Sequence, residues 1–151
     1  WLLFLVPVGC ALAVIDHVTW YLPSRLIWPS YGVVAVLEVV AAVALEDVDV
    51  LVLAGIGFVG LGAYYGLVWF ISPGIMAFGD VRFAALIGLA LGPLGVPVLV
   101  VSVLAAAVLS VLALVPLRVG GKAIKRKIPY GPFLAGGALV AIVVGQVLNG
   151  L

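Results

Sequence analysis

Few residues in this chain can do chemistry, and their placement narrows what that chemistry is. Asp16 ends one apolar run, Glu38 interrupts a second, and Asp80 in 76-MAFGDVRF-83 precedes a third, with Arg82 two residues on. Two carboxylates sharing a pocket cannot easily both ionise, so one keeps a proton and the pair offers an acid and a base together. Such a pair activates water against a peptide carbonyl without a metal, a cofactor or a covalent nucleophile. The chain has one histidine, His17, and one cysteine, Cys10. An intrachain disulfide and a Cys-cluster metal site are thereby excluded, and a multi-histidine site is disfavoured. No metal and no cofactor is expected.

The surroundings are apolar. Of 151 residues, 67% are hydrophobic and only 9% charged, with a mean hydropathy of +1.46, whereas soluble domains carry about one-quarter charged residues. Several continuous runs approach the ~20 residues that cross a hydrocarbon core. A transmembrane β-barrel would instead alternate every second residue. The expected fold is therefore all-α, a polytopic integral membrane protein forming one domain over 1–151. A net charge of +1 gives no reason to expect nucleic acid as a partner.

About six spans are expected. The first covers Trp1 to Ile15, and with no basic leader ahead of it this is read as a span, not a signal peptide. The next are Leu26 to Leu45 and Val50 to Ile71, the latter ended by the turn signal Ser72-Pro73-Gly74. Val81 to Leu91 is a short span, broken by Gly92-Pro93-Leu94-Gly95-Val96-Pro97. Val98 to Leu117 and Pro129 to Leu151 complete the set. With the N-terminus outside, the inner loops hold all seven basic residues, among them the cluster Lys122–Lys127, and the outer loop holds Glu46, Asp47 and Asp49. This is the distribution the positive-inside rule requires. It also puts Asp16 and Asp80 at the cytoplasmic ends of different spans, with the start of the short span recessed below the surface.

Other features have plain structural readings. Asp80 fits the N-cap of the run that follows it. Glu38 is an intramembrane acid and so a possible secondary site residue, although a structural hydrogen bond to a neighbouring span is the first expectation. Trp20, Tyr21, Trp28, Tyr31 and Tyr130 suit an interfacial belt. Gly62 and Gly66, and the series Gly137, Ala141 and Gly145, repeat small residues every four positions and permit close helix packing. The basic cluster is expected to meet lipid headgroups.

Three motifs carry a family resemblance. The stretch 79-GDVRF-83 with 84-AALIGLALGP-93 resembles the catalytic segment of type IV prepilin peptidases. In order with it, 128-IPYGPFLAGGALVA-141 is similar to that family's Ile-Pro-aromatic-Gly-Pro-Phe-Leu-Ala signature, and 15-IDHVTWYLPSRLIWP-29 to its first-aspartate region. The resemblance spans essentially the whole chain. It implies a membrane aspartyl endopeptidase that removes the basic leader of pilin-like precursors at the cytoplasmic face of the cell membrane. Asp16 and Asp80 would be the catalytic pair, Gly79 the glycine that lets backbone approach, and Arg82 would stand where the family usually has Lys. Ala77 replaces the first glycine of the family's Gly-x-Gly-Asp, and Ser24 the usual Asp or Asn. The Cys-rich region that accompanies N-methylation in larger members has no counterpart, so cleavage without methyl transfer is expected.

The rival reading is a non-enzymatic membrane protein, either coupling protons or cations through the same acids or serving as an inactive pilus-assembly subunit. Transporters place their acids near the midplane on interrupted helices. Here only Glu38 is deep, which favours the peptidase.

Overall fold

The computed structural model describes residues 1–19, 24–72, 76–119 and 130–148. Among these there are six α-helices, one 3₁₀ turn and no strand. They are α1 (Leu2–Thr19), α2 (Ser24–Leu45), α3 (Asp49–Ile71), α4 (Phe78–Leu91), α5 (Val96–Val119) and α6 (Gly131–Leu148), with the 3₁₀ turn at Gly92–Leu94. The chain is an all-α polytopic membrane protein. α1, α2, α3 and α5 are long and apolar enough to cross a bilayer, and α6 is a shorter apolar helix. The outer surface is apolar too: Val43, Val59, Leu67, Phe70, Leu112 and Val143 all stand exposed, because the solvent around these helices is lipid.

Buried positions recur every three or four residues, the stripe one helix face presents. In α1 they are Leu5, Gly9, Leu12 and Asp16. In α2 they are Ile27, Ser30, Val34, Glu38 and Ala42, and in α3 Val50, Ala54, Gly57, Leu61 and Tyr65. α4 differs, because Val81, Phe83 through Gly88, Ala90 and Leu91 are all buried. Its 14 residues make a helix about 21 Å long, surrounded by its neighbours as the axis of the bundle.

Small residues hold α4 to α3. A side chain at Gly57 would strike the Gly88 carbonyl, one at Gly88 the Gly57 carbonyl, and one at Gly92 the Leu53 carbonyl. One helical step nearer the other end, a Cβ at Gly62 would come within 3.2 Å of Ala85 Cβ and one at Gly66 within 3.7 Å of Val81. The expected Gly62–Gly66 face therefore lies inside the protein, as part of a longer seam. α5 and α6 close in the same way: a Cβ at Gly137 would be 2.8 Å from Ala106 N, and one at Gly145 2.9 Å from Val98. The break after α4 is made by Pro93 within the 3₁₀ turn and by Gly95 at φ +100°, a conformation that favours glycine.

Pairings along these seams set the helix directions. Gly66 faces Val81 and Gly57 faces Gly88, so α3 and α4 are antiparallel. Trp1 Nε1 donates to the Ala90 carbonyl at 2.7 Å, which places the start of α1 by the end of α4. The Tyr31 hydroxyl donates to the Arg82 carbonyl, joining the second turns of α2 and α4. One end of the bundle therefore collects the last turns of α1 and α3 and the first turns of α2, α4 and α6. Arg25 and Arg82 belong to that end, and Glu46, Asp47 and Asp49 to the other. The cluster Lys122–Lys127, Trp20, Tyr21, the Pro73-Gly74 turn and Ile128-Pro129 lie outside the described residues.

Candidate functional site

α1 continues to Thr19, so Asp16 lies within its last turn and not beyond its end, and it is 3% exposed. Its Oδ2 accepts a hydrogen bond from the Gly131 backbone N–H at 2.9 Å. The first N–H groups of a helix have no partner in their own helix. Gly131 opens α6 and Pro132 follows with no N–H to give, so Asp16 caps α6 from another part of the chain, where the helix dipole favours negative charge. There is room for this only because residue 131 is glycine. A Cβ there would lie 2.7 Å from Asp16 Oδ2 and 3.0 Å from Asp16 Cβ.

Asp80 is 1% exposed. It is not the N-cap: α4 starts at Phe78, its N-cap is Ala77, and Asp80 occupies the third helical position. Asp80 Oδ2 accepts the Ala77 backbone N–H at 3.0 Å. This is one half of a capping box, and the reciprocal bond cannot form because alanine has no side-chain acceptor. Ala77 sits at φ −84°, ψ 154°, extended backbone open to any L-residue, so the loop does not need the glycine the resemblance would put there.

Each aspartate thus has one oxygen fixed by a backbone N–H from a helix start. Asp80 Oδ1 is buried and has no hydrogen-bond partner among the described residues. The two carboxyls are close enough that Asp16 is a charge acting on Asp80. Although 64 positions apart, they share one end of the bundle because α1 and α4 are antiparallel and both contact α6.

The floor beneath the pair is apolar. Phe83, three residues beyond Asp80 and on the same helix face, is fully buried. It faces Leu5 and Gly9 of α1 and Ala135 and Ala138 of α6 around a small cavity of about 20 Å³. A Cβ at Gly9 would come within 3.9 Å of the Phe83 ring tip. To one side, the rings of buried Tyr65 in α3 and Tyr130 just ahead of α6 have centroids 6.2 Å apart.

The remaining expected residues distribute differently. Gly79 is in the first turn of α4, half-buried beside Asp80. Arg82 is two positions from Asp80, and residues so spaced do not face each other on a helix. Its guanidinium packs 4.9 Å from the Phe78 ring centroid and 6.0 Å from that of Trp28, toward α2. Glu38 is 1% exposed and its Oε1 has no hydrogen-bond partner among the described residues. It lies near the amino end of α1, about 22 Å along that helix from Asp16, and so does not join the aspartates. The hydrogen bond to a neighbouring span expected of Glu38 is not made by Oε1. Gly131 and Ala77, which orient the two carboxyls, carried no individual role from sequence. The one available signal was Tyr130-Gly131-Pro132, where a proline at a helix start marks the N–H groups that need an outside acceptor.

Fold and site together define an all-α polytopic membrane protein with two buried aspartates, from different helices, brought together at one end of the bundle. No protein-family model matches the sequence, and comparisons with curated proteins and with solved structures also give no match.

Proposed function

We propose that this protein is a membrane aspartyl endopeptidase of the type IV prepilin peptidase kind. It removes the basic leader from pilin-like precursors at the cytoplasmic face of the cell membrane and transfers no methyl group. One observation carries the reading: Asp16 and Asp80 are each tethered through one oxygen, lie within electrostatic reach of each other, and leave Asp80 Oδ1 buried with no hydrogen-bond partner among the described residues.

In this mechanism the unprotonated carboxylate takes a proton from water as its oxygen attacks the scissile carbonyl carbon. The protonated partner gives its proton to the carbonyl oxygen, forming a neutral gem-diol. As the diol collapses, the C–N bond breaks, the amine leaves with a proton returned from the first carboxyl, and one diol hydroxyl gives its proton back to the second carboxylate, leaving a carboxylic acid product. Which aspartate begins protonated belongs to the pair and not to either residue. The backbone N–H groups of Gly131 and Ala77 hold the carboxyls in place, so little reorganisation precedes the reaction.

Cleavage of a co-expressed pilin-like precursor by wild type, Asp16→Asn and Asp80→Asn tests this, with folding checked by gel filtration and melting in detergent. Asparagine keeps the acceptor for each N–H and removes the acid–base function, so both variants fold and both lose cleavage. Survival of activity in either one removes that residue from the mechanism. Buried Glu38, whose Oε1 has no hydrogen-bond partner among the described residues, supports a second reading, coupling to protons or cations. An inert wild type across several precursors, with Glu38-dependent ion uptake in vesicles, would favour it.

A further inference from the structure

Two consecutive residues of α3 face the two supports on which the aspartates rest. Gly66 packs on α4, where a Cβ added to it would lie 3.7 Å from Val81, the neighbour of Asp80. Tyr65 points about 100° away around the helix and is 3% exposed. It meets the start of α6, its ring centroid 6.2 Å from that of Tyr130 at an interplanar angle of 59°. Tyr130 is the neighbour of Gly131, whose N–H holds Asp16. One stretch of α3 thus touches the support of each carboxyl.

Tyr130 reaches Asp16 through a single rigid unit, because its carbonyl and the Gly131 N–H belong to one planar peptide group. The carbonyl accepts the N–H groups of Phe133 and Leu134, both at 3.1 Å, and so begins α6. The N–H on the opposite side donates to Asp16 Oδ2 at 2.9 Å. Any rotation of this plane moves the donor that holds Asp16. The Tyr130 ring is fixed from two sides: edge-on to Phe133 at 5.8 Å on α6, and tilted against Tyr65 on α3. Tyr65 is itself backed by Tyr64, edge-on at 5.0 Å. Aromatic pairs at these separations attract beyond what burial alone gives.

We propose that Tyr65 is a positioning residue for Asp16: its ring braces Tyr130, which sets the Gly131 N–H against the Asp16 carboxyl and so fixes where Asp16 stands relative to Asp80. The consequence for cleavage rests on the peptidase reading; the brace itself does not.

The test uses the full chain in detergent with isotope-labelled glycine. Hydrogen exchange of the Gly131 amide is followed by NMR, beside kcat and KM for a purified pilin-like precursor. Tyr65→Leu and Tyr130→Leu remove a ring from the pair. In both, the Gly131 amide exchanges about two- to tenfold faster, the factor one aromatic pair supplies. In both, kcat falls about tenfold, short of the 10²-fold that a 1 Å displacement brings, and KM is unchanged. Tyr65→Phe and Tyr130→Phe keep the rings and restore both values. Phe70→Leu removes a ring from the lipid face of α3, where Phe70 is 76% exposed, and changes neither. If buried Tyr65→Leu fails to fold, Tyr130→Leu decides, since Tyr130 is only half-buried. Wild-type exchange at Gly131 in the leucine variants would overturn the proposal, and so would faster exchange with kcat unchanged. Phenylalanine variants as impaired as the leucine ones would give the role to a hydroxyl, and a raised KM at constant kcat would make the rings a substrate contact; either overturns it. A wild type inert toward every precursor would remove the peptidase reading, and the exchange comparison, which needs no substrate, would then decide the brace alone.

Discussion

Replacing Gly131 with alanine tests whether the position of Asp16, and not only its presence, matters. The substitution keeps the backbone N–H that Asp16 accepts and adds a single methyl group. That methyl would lie 2.7 Å from Asp16 Oδ2 and 3.0 Å from Asp16 Cβ, whereas carbon–oxygen contacts settle at about 3.3–3.6 Å. Asp16 and the start of α6 must therefore separate by about 0.6–0.9 Å. Overpacking of this kind costs about 1–3 kcal/mol, partly offset because alanine favours helix over glycine by about 1 kcal/mol. Stability should thus fall modestly. A displacement near 1 Å at a reacting group costs about 10²-fold in rate, so precursor cleavage should fall by roughly that factor. The assay compares initial cleavage rates in detergent with the melting temperature of the same preparations. Gly136→Ala is the control on the same helix, since its Cβ meets only the end of the Leu109 side chain at 2.9 Å and flexible leucine can yield. A Gly131→Ala enzyme within threefold of wild type would refute the claim that the α6 start positions Asp16. An equal loss in Gly136→Ala would assign the effect to general loosening of α6.

Three further outcomes follow from the packing. Gly88→Ala drives a methyl into the Gly57 carbonyl and should lower the melting temperature steeply or abolish folding, whereas Gly60→Ala, with nothing within 4 Å, should be neutral or stabilising by up to about 1 kcal/mol; paired thermal melts in detergent check both. Glu38→Leu replaces a buried carboxyl whose Oε1 has no hydrogen-bond partner among the described residues by an apolar group of similar size, which should leave stability unchanged or raised and cleavage intact; loss of cleavage would bring Glu38 into the function. Tyr31→Phe removes the hydroxyl that joins α2 to the Arg82 carbonyl and should cost about 1 kcal/mol, read as a lower melting temperature and faster hydrogen exchange in the first turns of α2.

The membrane class was legible in sequence because it depends on composition: residues that must contact hydrocarbon are apolar whatever their neighbours. Helix boundaries followed to within a few residues where Pro, Gly or charge interrupts an apolar run, as at Gly95 and at the Glu46–Asp49 turn. They failed at both aspartates, which were read as lying outside helices that in fact include them, since an acid at a helix end resembles a boundary. The small-residue series at Gly62 and Gly66 marked a packing face, but its partner was not readable, because any close-packed helix satisfies the same pattern. Sequence supplied the two acids as candidates by their rarity in apolar surroundings. Only tertiary structure decided that the start of α6 fixes one of them through Gly131, that Arg82 turns away from Asp80 toward Trp28, and that Glu38 belongs to the far end of the bundle. A hydrogen bond spanning 115 positions leaves no periodicity along the chain; it exists only once three helices have packed.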